Sequence, residues 1–174
     1  MTLKFIRHLI AIMILPVSAA VLVPIWIARQ NIIEYSLPTN PQGVLFQAIG
    51  IIIFIVGLVL FSASLYLFAT QGRGTLAPWD PPSKLVVRGP YRFVRNPMIS
   101  GVLFVLLGEA LLLESLPHVV WSAIFLAINL IYIPLLEEPQ LELRFGEPYR
   151  RYRKGVPRFL PRLRPWEPEE QMRE

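Results

Sequence analysis

The chain has 174 residues, of which 54% are hydrophobic and 17% charged, with a formal net charge of +5 and a mean hydropathy of +0.51. Soluble domains carry about 25% charged residues, so this composition excludes a disordered chain and points to a membrane protein rather than a nucleic-acid binder. With no cysteine, disulfides, thiolate metal sites and cysteine catalysis are excluded; His8 and His118 are too few and too far apart for a histidine-built site, so no metal is expected.

A bilayer-spanning helix needs about 20 mostly apolar residues, because hydrocarbon offers no partner to backbone N–H and C=O groups. Residues 9–28 form the first such run, interrupted by Pro16 and Pro24. Residues 43–70 form the second and carry no charge. Residues 98–113 form a shorter third, with Glu109 near its far end, and residues 119–136 a fourth, with Asn129 as its one strongly polar side chain. Glu114 to His118, containing Pro117, predicts a tight turn, so the last two spans pair as an antiparallel hairpin. Asn129 reads as an interhelical hydrogen bond between spans, and Glu109 is ambiguous between a functional group and one that reaches the far interface.

Lys and Arg favour cytoplasmic connections. Of the seventeen, only Arg29 lies on the opposite side from Lys4, Arg7, the group Arg73 to Arg95 and the group Arg144 to Arg173. The expectation is an all-α integral membrane protein with four spans and both termini cytoplasmic, in a prokaryotic cell membrane. A cleaved signal peptide ending near Ser18-Ala19-Ala20 is the competing reading. The apolar run continues through Ile27, however, which favours an uncleaved span.

The cytoplasmic segment 71–97 is too rich in glycine and proline for a long helix. It reads as an irregular loop packed through Trp79, Tyr91 and Phe93. In the segment 137–161, Pro139 opens a helix closed by Gly146, and Pro148 opens another closed by Gly155. Tyr149 and Tyr152 share a face, with Arg150, Arg151, Arg153 and Lys154 around them. Arg88, Arg150 and Arg151 read as solvated or facing membrane lipids. Residues 1–164 read as one domain and 165–174 as a loose tail.

Two blocks then stand out: Arg88-Gly89-Pro90-Tyr91-Arg92-Phe93-Val94-Arg95-Asn96-Pro97 with Gly101, and, one hairpin later, Glu137-Glu138-Pro139, Phe145-Gly146, Tyr149, Tyr152 and Val156-Pro157-Arg158. Over residues 71–161 the chain resembles the isoprenylcysteine carboxyl methyltransferase family, part of a wider group with phospholipid N-methyltransferases. Asn96 stands where that family has histidine, and Ile99 where it has tyrosine. The resemblance implies an integral-membrane enzyme that uses S-adenosylmethionine and takes a lipid-like acceptor from the bilayer, the methyl going to a carboxylate or an amine. It implies cofactor contacts at Tyr91, Asn96, Pro97, Met98, Gly101, Glu137, Glu138, Phe145, Tyr149 and Tyr152. Gly72-Arg73-Gly74 is similar to a glycine element of the phospholipid enzymes.

The chemistry suits these residue types. A carboxylate accepts from a ribose diol, and arginine holds an amino-acid carboxylate. Aromatic rings flank an adenine, and methyl transfer from an activated donor needs positioning more than a protein nucleophile. Arg92, Arg95 and Arg158 are candidates to orient an anionic acceptor, and Glu138 to take a proton from an amine. The acidic pair has a plainer reading as anions at a helix N-terminus. Two other functions stay open: an NADPH-dependent membrane reductase of the sterol-reductase type, and a non-catalytic protein binding lipids or a partner. The oligomeric state is not legible.

Overall fold

The computed structural model describes residues 13–33, 37–72 and 84–167. Every regular element among them is helical. A π-helical stretch, Met13–Leu22, leads into α1, Val23–Gln30. Then come α2, Pro41–Leu67, α3, Pro97–Leu112, and α4, Leu116–Tyr132. The short helices α5, Glu138–Phe145, and α6, Glu147–Gly155, complete the described chain.

Local chemistry sets the helix boundaries. Pro41 occupies the first turn of α2, and the Asn40 side chain accepts from the Gly43 amide at 2.7 Å, which satisfies an otherwise orphaned donor. Ser115 caps α4 in the same way, accepting from the His118 amide. Between α3 and α4, Glu114 takes a left-handed backbone, φ 46°, and the predicted hairpin forms there.

Two helical stretches are long and apolar enough to cross a membrane, Pro41–Gly72 and Leu116–Phe145. Only 17% and 11% of their most apolar windows are buried. A soluble protein would bury such faces, so this outward-facing apolar surface is lipid-facing. They contain the expected second and fourth spans. α3, which matches the expected third, has 16 residues, a rise of about 24 Å against a hydrocarbon core of about 30 Å. The first expected span begins outside the described residues. Its remainder is tied to α4 by Trp121, whose indole N–H donates to the Ala19 carbonyl at 2.9 Å.

α2 and α3 run antiparallel in close contact. A Cβ at Gly57 would lie 2.6 Å from the Val105 amide nitrogen, and one at Gly108 would lie 2.7 Å from Phe54. Hydrocarbon gives apolar surfaces no reason to avoid the bilayer, so close backbone approach through small residues holds such helices together.

Two expectations are corrected and one is extended. Pro139 lies in the first turn of α5, which Gly146 closes as expected, but α5 continues the preceding helix: the chain stays helical from Leu116 to Phe145 through a π-helical turn, Ile133–Glu137. Pro134 and Pro139 lack amide hydrogens, and the wider winding accommodates that loss without ending the helix. Asn129 does not bridge helices; its amide donates to the Phe125 carbonyl of its own helix at 2.8 Å. The tail is not loose from 165, because Trp166 and Glu167 are docked on Arg92; residues 168–174 lie outside the described residues.

Candidate functional site

The N-terminal end of α3 is reached through a tight turn, Gly89–Arg92, in which Gly89 has φ 54°, a conformation glycine adopts without a Cβ penalty. The turn seats Tyr91 against the membrane helices, its ring buried and its hydroxyl 3.5 Å from the Ser64 carbonyl on α2. Beyond it, the Arg95 amide donates to the Pro157 carbonyl at 2.9 Å and the Asn96 amide to the Arg158 carbonyl at 3.3 Å. These two backbone bonds join the two sequence blocks side by side.

Glu138 is the hub. Its carboxylate is held by Arg95 at 2.8 Å and, in a fork, by Arg158 at 2.8 and 3.0 Å. Residues 43 and 20 positions away thus meet on one side chain. Paired forks of this kind are strong and directional. Burial raises the proton affinity of Glu138, but the Arg158 hydrogen bond and the charges of Arg95, Arg158 and Arg153 outweigh it, so the carboxyl sits below its ordinary range. The neighbouring Glu137, also past the end of the apolar run at Leu136, behaves oppositely. Burial, reinforced by the Glu138 charge and only partly offset by Arg95, lifts it to about 7. Glu137 makes no cap hydrogen bond, and continuous helix on both sides removes the N-terminus that a capping role requires. Among the described residues, the Arg95 Nε–H is buried without a partner. An unsatisfied cationic donor beside an unbonded carboxylate is an arrangement suited to a polar guest, since orphaned buried groups are costly.

Behind this cluster lies an aromatic core. Tyr149, Tyr152 and Val156 pack with Leu85, Val87, Leu141, Phe145 and Trp166. The Tyr149 and Tyr152 rings are 6.4 Å apart, and the Tyr152 hydroxyl donates to the Tyr91 carbonyl at 2.7 Å. At 2% and 3% exposure, these tyrosines back the site rather than lining an open surface. Burial pushes the Tyr149 phenol up to about 12.

The other predicted residues are dispersed. Pro97 is fully buried in the first turn of α3 and Met98 half-buried beside it. The Asn96 side chain does not cap that helix. Gly101 faces α2, where a Cβ would lie 2.7 Å from the Phe61 nitrogen, so helix packing accounts for this glycine. Arg92 turns from Glu138 to Glu167 at 2.6 Å. Gly72 is described, but residues 73–83, with the rest of the glycine element and Trp79, are not. A cavity of about 250 Å³ lies at the far end of the bundle, between the start of α2 and the end of α3, lined by Asn40, Gly43, Gln47 and Glu114 among others.

Sequence reasoning missed Trp166 and Arg162. Trp166 stacks edge-on to Tyr152 at 5.7 Å, and Arg162 donates to the Gly155 carbonyl at 2.7 Å. A lone tryptophan in a charged, proline-rich stretch was the available signal. A family model described as phospholipid methyltransferase matches residues 45–148, from α2 into the first turn of α6. No curated protein and no solved structure gave a significant match.

Proposed function

The chain belongs to the phospholipid methyltransferase family, and from that premise we propose that it is an integral-membrane methyltransferase dependent on S-adenosylmethionine, acting on a lipid-like acceptor that enters from the bilayer. The proposal includes four spans with both termini cytoplasmic, which puts the Glu138 cluster under the cytoplasmic leaflet beside the basic segments. The family match favours methyl transfer over hydride transfer from NADPH, and the buried, paired carboxylate favours a catalytic site over a lipid-binding surface.

The observation that carries the proposal is the convergence of Arg95, Glu138 and Arg158, with Glu137 adjacent. The donor set fits the cofactor: Glu137 is an acceptor for ribose hydroxyls, and the unpartnered Arg95 Nε–H a donor to an amino-acid carboxylate. Phe145, half-buried, offers an apolar wall, with Tyr149 and Tyr152 behind it. When bound, S-adenosylmethionine supplies a methyl group already activated on a sulfonium. The residues of this chain then orient and exclude water, the source of most rate enhancement in such displacements. Glu138 holds Arg95 and Arg158 in register and, being bound to both, is replaced by Glu137 as the group able to accept a proton from an amine acceptor. With a carboxylate acceptor, Arg158 is the orienting cation.

Isothermal titration of the detergent-solubilised protein with S-adenosylhomocysteine tests this reading. Saturable binding is expected, weakened at least about tenfold, roughly 1.4 kcal/mol, by Glu137→Ala. No binding to the wild-type protein rejects the proposal.

A further inference from the structure

The last described residues return to the turn that carries Arg95. The Arg162 amide donates to the Phe93 carbonyl at 3.0 Å, and the Trp166 amide to the Arg92 carbonyl at 2.9 Å. Arg92 answers, donating from Nε to the Trp166 carbonyl at 2.9 Å and from its outer nitrogen to Glu167. The Trp166 ring rests on Tyr152, whose hydroxyl holds the Tyr91 carbonyl of the same turn. It also fills the space beside Gly155, where any Cβ would collide with the indole. Residues 91–95 are therefore held on three sides: by Tyr152, by the Pro157–Arg158 backbone and by the returning chain.

We propose that residues 162–167 form a strap that sets the position of Arg95 at the cofactor site, with Arg92 and Trp166 as positioning residues rather than groups that meet the acceptor. This rests on the methyltransferase reading for its functional consequence, while the strap itself lies beyond the residues matched to the family. The reasoning is geometric. Arg95 has one nitrogen on Glu138 and a buried Nε–H left over, and the direction of that N–H follows from a backbone with no regular secondary structure of its own at Arg95 and Asn96. A catalytic arrangement tolerates little misplacement, so an irregular backbone in this role needs external fixing. The strap supplies two backbone bonds and a guanidinium clasp. Gly155 ends α6 without a Cβ, which gives the indole its seat.

The test uses Trp166→Ala, Gly155→Ala and Trp166→Phe in the full chain, with two readouts. Amide hydrogen exchange is followed over residues 91–97 and over α2 to α4, and S-adenosylhomocysteine affinity is measured by titration. The alanine variants are expected to exchange at least about tenfold faster in 91–97 with α2 to α4 unchanged. They are also expected to bind the ligand at least about tenfold more weakly. Trp166→Phe, which keeps a ring on Tyr152, stays near wild type in both. Wild-type exchange in 91–97 in both alanine variants overturns the strap, as does acceleration spreading through α2 to α4, which would make these residues general supports of the fold. Unchanged affinity despite faster local exchange overturns the link to the site. If the wild-type protein binds no ligand, the methyltransferase reading fails, and exchange alone decides the strap.

Discussion

The α2–α3 contact runs along one short helix, the Glu138 cluster lies just beyond that helix's N-terminal end, and the two are held by opposite means. In the first, glycines remove side chains so that backbones touch. In the second, the guanidinium groups of Arg95 and Arg158 each sit within hydrogen-bond distance of the Glu138 carboxylate. The difference follows from solvent: among lipid chains an unpaired charge is very costly and close packing is the available adhesive. At the membrane edge, fixed ion pairs bring specificity of position more than net stability. The same helix can therefore be immobile along its length and still present a polar, addressable end.

The largest expected effect breaks the polar end. Glu138→Ala leaves two guanidinium groups without their shared partner and should cost about 3–5 kcal/mol, read as a lowered unfolding temperature in detergent. Next comes the packed end. Gly57→Ala raises helix propensity, yet its Cβ meets Val105 and Gly101 backbone atoms at 2.6 and 2.8 Å. Overpacking should outweigh the gain and destabilise by about 1–3 kcal/mol, measured in the same way. If Gly57→Ala is instead neutral, the two helices are looser than the comparison requires.

The smallest effect separates the two glutamates. Glu137, with its proton affinity raised to about 7, favours the folded state when protonated. Its contribution is full below the ordinary carboxylate range and is lost as the pH rises through about 7. Glu138 is shifted down, so its contribution is present above that range and disappears only in acid. Stability followed from pH 5 to 8 should therefore decline for the wild type and decline less steeply in Glu137→Gln. A decline as steep as the wild type's in that variant would assign the titration elsewhere.

Much of the site was legible as residue types without their arrangement. Glu137, Glu138, Arg95, Arg158, Tyr149 and Tyr152 all stand in the two blocks that carry the family resemblance, and the resemblance is what marks them as site residues. Their division of labour was not legible. Arg92 and Arg95 are three residues apart and chemically identical, yet one clasps the strap and the other binds Glu138. Gly101 was read with the site and instead admits Phe61.

Sequence alone determined the apolar runs, the hairpin and the clustering of basic residues, since transfer into hydrocarbon depends on consecutive residues and adds along the chain. The tertiary structure alone decided that Glu138 joins Arg95 to Arg158 and that Trp166 closes back on Arg92. Those outcomes depend on distances between segments far apart in the chain, and an ion pair or ring contact acts only over a few ångströms, whatever the separation in sequence.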